Sequence, residues 1–457
     1  MPADRPHLIL PCETRVREFE AKLLLACFAA ERGWRVTVGS MRTIDGRAAR
    51  LARGVYVGKG VTRRKVFLKR QLRRLGHTVT AWDEEGLVWA TPELYRRTKV
   101  DARALNLAEH LFAWGEENAA AWRGHPGFAG TPISVTGNPR TDLLRPELRG
   151  CFAEEAARLS ARHGAFILVN TNFSRLNHFI PGESLQRRLI EDGGGRLTDD
   201  DPRLGLARHK QALFDHFLEM VPALARRFPE RKLILRPHPS ESPDVWREAL
   251  AGAPNAEVVH EGNVAAWLMA AAALVHNGCT TAVESFLLDR PAVAYRPVVA
   301  DAFDHPLPNG LSVEARDLAA LMARVADALA LDDAGREAVL APRRPLARRH
   351  IASAEGPPAC ERILDALDAL VAGPRPAPGL FDRTAARAAL TRRELVKRAR
   401  RTLRRAGMSG AYRRHMFPAI EEAEVARAIG RFGALLGRFG DLRLAAEGGD
   451  VFTLSRQ

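Results

Sequence analysis

The stretch HNGCTTAVESFLLDRPAVAY, residues 276–295, decides the fold. An apolar run at 271–275 precedes it, and AVAY at 292–295 closes it; both are short enough to be buried strands. Between them 280–288 has helical composition, and Asp289-Arg290-Pro291 is a stop signal. Strand, turn, helix and strand in that order form the crossover that builds parallel sheets. The turn at 276–281 then lies where a strand ends and a helix begins, the edge at which open parallel sheets bind ligands. Free N–H groups and the helix dipole attract phosphate there. Gly278 permits close backbone approach, Thr280 and Thr281 offer hydroxyls, and Glu284, one turn later, can accept hydrogen bonds from a ribose. An ordinary helix cap with a surface glutamate accounts for this segment alone equally well.

Two more segments of the same half follow strands. Arg236-Pro237-His238-Pro239 comes after KLIL, with two prolines stiffening the backbone and Arg236 and His238 available to a phosphate. His260-Glu261-Gly262-Asn263 comes after EVV. Three polar segments on successive strand ends would converge on one crevice, which favours a binding site over three unrelated loops.

The first half repeats the alternation. HLIL (7–10), WRVTVGS, GVYVGKG (54–60), HTVTAW, HLFAW and PISVTG read as strands, with helical patterns between them. Its strand ends carry acidic and basic groups. Asp83-Glu84-Glu85-Gly86 follows a strand directly, and a carboxylate so placed suits nucleophile or general-base work. Asp142, in GNPRTD after another strand, is a second candidate. Arg17 and Glu18, just beyond the first strand, are candidates for reaching the substrate cleft, and Lys59 is a candidate for binding an anionic substrate. Solvated surface charge is the competing reading for each of these.

The alternation restarts at FILVNTNF (166–173), 180–208 reads as a loop with some helix, and GPRPAPG (373–379) is a linker signal. The expected architecture is α/β: a first Rossmann-like domain at 1–150, a second at 151–372, the two facing a cleft, and a basic helical tail at 373–457.

Composition sets limits on function. In 457 residues, 46% hydrophobic, no run approaches the ~20 apolar residues of a membrane span. The N-terminus lacks a signal-peptide core. Five scattered cysteines form no disulfide framework and no metal motif, so a reducing cytoplasm and a site without metal or cofactor are expected. Of the net charge of +15, residues 374–457 carry +10, which is unlike a uniformly basic nucleic-acid binder. Within this tail, residues 391–407 hold eight basic residues and one acidic. Leu395, Ala399, Thr402, Leu403 and Ala406 form a narrow apolar helix face there, suited to an anionic membrane surface. A helix folded back on the first domain is the alternative. Walker A, G-x-G-x-x-G after a strand, G-x-S-x-G and H-E-x-x-H are all absent, which removes the commonest routes to an NTPase, dehydrogenase, hydrolase or zincin.

These residues carry a resemblance. RPHP followed by HNGCTTAVES and FLLDRPAVAY is similar to the nucleotide-binding half of GT-B glycosyltransferases, and UDP-N-acetylglucosamine 2-epimerases share a similar segment. REFEAKLLLACFAAERG, DEEGLVW, VTGNPRTDLL, NTNFSRLNH and RPHPSE together resemble the bacterial surface carbohydrate biosynthesis family, related to the capsule and lipopolysaccharide β-Kdo transferases. The resemblance spans about residues 7–345, together with the segment around Phe417-Pro418. It implies a CMP-activated donor, with Arg236 and His238 near phosphate, Asn277, Gly278, Thr280 and Thr281 at phosphate, and Glu284 at the ribose. It also implies a glycan acceptor and a catalytic carboxylate in the first half, Glu84 or Glu85 before Asp142, although DEEG is not identical to that family's acidic motif. An epimerase-like enzyme, a CDP-glycerol-type transferase and a non-catalytic nucleotide-sugar-binding protein remain the alternatives.

Overall fold

The computed structural model describes residues 6–180, 184–191, 201–373, 377–403 and 417–457. They form two compact units. The first comprises residues 1–87, 92–151 and 348–457, and the second comprises 88–91 and 152–347. Residues 348–372, read from sequence as part of the second domain, group with the first unit, as does the tail.

In the first unit six parallel strands, β1 (His7–Cys12), β2 (Arg35–Ser40), β3 (Val55–Gly58), β4 (Thr78–Ala81), β5 (His110–Ala113) and β6 (Ile133–Val135), lie in the order 2-1-3-4-5-6. The second unit contains β7 (Ile167–Asn170), β8 (Leu233–Arg236), β9 (Ala256–Val258), β10 (Ala273–His276), β11 (Ala292–Tyr295) and β12 (Val313–Ala315), all parallel, in the order 9-8-7-10-11-12. Parallel strands are covered by helices on both faces, so their central members are unbroken apolar runs. Ile9, Leu168 and Val275 are fully buried accordingly. In the second unit Phe173, Phe214, Phe217, Leu224 and Trp246 pack together against strand residues Val169, Leu235 and Val275.

Besides β12, sequence reading missed two strands, β13 (Leu442–Ala446) and β14 (Val451–Arg456). They form an antiparallel pair, and β14 joins β2 to extend the first sheet to eight strands. Gly39 makes this joining possible: a Cβ there would lie 2.1 Å from the carbonyl oxygen of Asp450. The segment read as loop contains helix Leu185–Glu191, and the following helix begins at Pro202 and runs to Arg227. Residues 181–183 and 192–200 lie outside the described residues. In the tail a helix runs Leu380–Leu403, while 404–407, the end of the segment read as membrane-binding, lie outside the described residues.

The chain's return to the first unit is fastened at GNPRTD. Gly137, at φ +82°, lies so close to Ser353 that a Cβ would sit 2.1 Å from its Oγ. Thr141 Oγ1 and Ser353 Oγ are 2.8 Å apart. Both Asp142 oxygens accept backbone N–H groups, from Ala359 and Cys360, at 2.8 Å each, where helix Ala359–Val371 begins. Burial pushes the Asp142 carboxyl up to about 6 although these N–H bonds favour its charged form. Asp142, the second candidate for a catalytic carboxylate, therefore caps a helix. Asp142→Ala should lower stability by ~2 kcal/mol, measured by urea unfolding.

Candidate functional site

The order 9-8-7-10-11-12 reverses direction between β7 and β10, and ligands of open parallel sheets bind outside such a switch point. Register places Asn170 at the end of β7 beside Arg236 of β8 on one side and His276 of β10 on the other. Asn277 follows directly. Both asparagines are buried, and among the described residues neither amide oxygen nor nitrogen of either has a hydrogen-bond partner. Buried polar groups in native proteins are nearly always paired. Two complete orphaned amides on the strands flanking a switch point mark a place where a ligand or water completes the structure.

The turn is held rigidly. Ser312 Oγ donates to Pro308 O at 2.7 Å, so it accepts from His276 Nε2 at 2.8 Å. His276 Nδ1 then accepts the Gly278 N–H at 2.9 Å. Burial lowers the His276 pKa to about 3, which keeps the ring neutral. On the other side of Gly278, His305 Nδ1 donates to its carbonyl oxygen at 2.6 Å. Burial, with the neighbouring Lys210 cation, lowers His305 to about 4. The Gly278 N–H is thus spent on His276, contrary to the sequence expectation of a free donor there. Gly278 has φ +79°, in the left-handed region that glycine adopts without strain. The Thr280 N–H, at the first position of helix Thr280–Leu287, has no intrahelical acceptor.

Beside this turn, half-buried Lys210 interacts electrostatically with Asp304, Cys279 and Arg175; desolvation lowers its pKa. Asp304 is shared by His209 at 3.0 Å and Arg296 at 2.6 Å. Asn309, whose Oδ1 is buried and unpaired, lies against Gly278. Sequence reading missed Asn170, Arg175, Lys210, His305 and Asn309. They come from three separate segments, the end of β7 with its loop, helix Pro202–Arg227 and the short helix Pro306–Gly310 with its cap, and only the fold gathers them.

Arg236 and Glu284, both expected at the nucleotide, are within electrostatic reach of each other. Arg236 donates to the carbonyl oxygens of Glu261 (2.7 Å) and Gly262 (3.1 Å) and stacks 5.1 Å over Trp267, while its Nε is buried without a partner. Burial lowers its pKa to about 10, so it remains a cation. Ser240 N–H donates to His238 Nδ1 at 3.1 Å, which places the neutral ring's proton on Nε2. Thr280, Thr281 and Glu284 are partly exposed at the start of their helix.

Glu241, fully buried and also missed, fixes these loops. Its carboxylate accepts from Thr171 Oγ1 (3.1 Å), Phe173 N (2.8 Å), His238 N (3.1 Å) and Trp246 Nε1 (3.1 Å). It ties the loop after β7 to the loop after β8.

The first unit, described by itself, has a second polar cluster where β1, β3 and β4 end. Lys22 Nζ contacts Glu18 (2.9 Å), Glu84 (2.8 Å) and the carbonyl oxygen of Pro11 (2.8 Å), with all three side chains buried. Lys59 bridges Glu18 (2.9 Å) and Glu13. Trp82 Nε1 donates to Glu84 Oε1 at 2.8 Å, and Glu84 Oε2 is buried without a partner. Burial raises the Glu18 pKa, but Lys22 and Lys59 more than offset this and hold the carboxyl well below its usual range. The structure thus gathers Glu18, Lys59 and Glu84, with Lys22 as the centre that sequence reading missed. Glu85 stands apart in a half-exposed pair with Arg17 at 3.4 Å.

No protein-family model and no curated protein matches the sequence. Solved structures do match the fold. A variant of the wall teichoic acid polymerase TagF superposes with a TM-score of 0.50 at 11% identity, covering 80% of this chain and 88% of that one. The UDP-GlcNAc 2-epimerase of Methanocaldococcus jannaschii, solved with UDP-GlcNAc and UDP, gives 0.47 at 13%, covering 80% and 100%. HepE of Anabaena, solved with UDP and glucose, gives 0.43 at 11%, covering 81% and 100%. These neighbours are GT-B-fold glycosyltransferase and epimerase-like proteins, and likeness at such identities concerns the fold alone.

Burial raises the Glu241 pKa from 4.5 to about 7, against four hydrogen bonds that favour its charged form. Between those values the folded protein holds a proton that the unfolded chain has released. The stability from this group is therefore complete below pH 4.5 and lost as pH rises to about 7. The difference in melting temperature between wild type and Glu241→Gln should shrink across that window; a constant difference would contradict the assignment.

Proposed function

We propose that this protein is a glycosyltransferase that binds a nucleotide-activated sugar at the carboxyl edge of the second sheet and transfers the sugar to a bacterial surface glycan. The observation that carries this reading is the pair of orphaned amides, Asn170 and Asn277, at the switch point beside the start of helix Thr280–Leu287. Lys210 and Arg175 supply positive charge next to the turn, and the helix dipole adds to it. A departing nucleotide phosphate gains charge in the transition state, and fixed positive groups stabilise that charge without reorganisation. Arg236 and His238 contribute further donors, and Glu284 is the ribose acceptor.

From the sequence resemblance, the donor is a CMP-linked acidic sugar of the Kdo type, used without a resident metal. The acceptor is a polysaccharide or lipid-linked glycan met at the inner face of the cytoplasmic membrane. Glu84, dry and with one unpartnered oxygen, is the proposed base. Lys22 and Trp82 hold it, while Glu18, Lys59 and Arg17 contact the acceptor. Glu85 is the secondary candidate. Transfer of a polyol phosphate from a CDP-linked donor is the second reading, favoured by a fold shared with a wall teichoic acid polymerase.

A thermal-shift titration with CMP, CDP, UDP and ADP tests the proposal. A cytidine nucleotide should raise the melting temperature by mass action. Asn277→Ala and Lys210→Ala should weaken its binding about tenfold each, whereas Glu84→Gln should bind it normally and lose transfer. Stabilisation by UDP alone would move the donor to the uridine class, and no response to any nucleotide would overturn the site.

A further inference from the structure

Helix Leu380–Leu403 has two unlike faces. Ala386 and Leu390 are buried and join the first unit's core with Ile9, Leu72 and Val79. The helix runs antiparallel to helix Val66–Arg74: Arg74 lies 3.7 Å from Asp382, and Arg393 stacks 4.9 Å over Phe67. This inner face is anchored as any core-packed helix is.

The outer face is not polar, as a surface helix normally is. Phe381, Ala388 and Leu395 recur every seven residues, one stripe of a 3.6-residue helix. Phe381 is 85% exposed, Leu395 59% and Val396 42%; at the helix start, Leu380 is 75% exposed. Arginines border the stripe: Arg387, Arg392 and Arg398 are exposed. The neighbouring helix adds Arg70 and Arg73, both exposed, and the turn before it adds Arg63 and Arg64. Among the described residues of the two helices the exposed acidic residue is Asp382, already beside Arg74; Glu394 is half-buried beside Lys397.

We infer that this face lays the first unit on an anionic lipid surface. The arginines meet lipid phosphates, and the apolar stripe enters the boundary between headgroups and acyl chains. A protein partner could cover an apolar stripe, but the surplus of arginine on both flanks complements a surface of dense negative charge. This is a surface contact: no helix among the described residues is long and apolar enough to cross a membrane. The inference gives a place to the acceptor reading above, yet it is testable without any nucleotide and stands or falls separately from the donor site.

The test is co-sedimentation of the full chain with vesicles of phosphatidylcholine alone or mixed with phosphatidylglycerol. Binding should require phosphatidylglycerol and be lost at about 0.5 M salt. It should fall at least about tenfold in Arg387→Glu/Arg392→Glu and in Phe381→Ser/Leu395→Ser. These positions are exposed, so the melting temperature and any nucleotide response should be unchanged in both variants. Equal binding to neutral vesicles, or variants that bind like wild type, would overturn the inference. So would a dimer in solution that Phe381→Ser/Leu395→Ser dissociates, since the face would then be covered by a second copy.

Discussion

The carboxylate of Glu241 is the constraint on which the second unit's site depends. Four different donors converge on two oxygens sealed from water, drawn from the loop after β7, the loop after β8 and the helix Asp244–Ala249 that follows. A buried carboxylate is costly unless it is hydrogen-bonded, and removing its partners strands the charge. The loops are therefore bound to one arrangement, with Asn170 and His238 on adjoining strand ends. His276, His305 and Ser312 serve the neighbouring turn in the same way: they fix the Gly278 peptide from both sides and leave Asn277 without partners of its own. Rigid surroundings and unsatisfied groups at the centre are what a preorganised binding site requires.

The first unit solves a different problem. Lys22 is buried in a helix of almost wholly apolar neighbours, which would be unfavourable for an isolated ammonium. Three acceptors surround it, and its two carboxylate partners come from separate segments, after β1 and after β4. Such an array is weak evidence for stability, since a hydrophobic replacement is often as good. It is better evidence for purpose: it keeps Glu84 dry and fixed at a strand end, with one oxygen uncommitted.

Much of the fold was legible in the sequence, because buried parallel strands are written as short apolar runs and helix stops as glycine and proline. The parallel strands of both sheets were readable in this way except β12, whose three residues VEA form no apolar run. β13 and β14 were not, because LRLAA and VFTLSR sit in a basic tail and owe their place to an edge that only Gly39 leaves open. At the sites, residue type was visible but occupation was not. Asp142 looks like Glu84 from sequence, each an acid after a strand. Only a helix start 217 residues away tells them apart, by taking both Asp142 oxygens. Asn170, Lys210 and Glu241 were missed for the same reason, since what makes each of them matter lies on another element.

The most direct test of the central claim, that a nucleotide completes the switch point of the second sheet, is amide hydrogen exchange with and without CMP or CDP at saturation. The account predicts slowed exchange confined to the segments around Asn170–Arg175 and Asn277–Ala282, with β2 and β14 of the first unit unaffected. Unchanged exchange in both segments, with nucleotide shown to be bound, would place the site elsewhere and contradict the account.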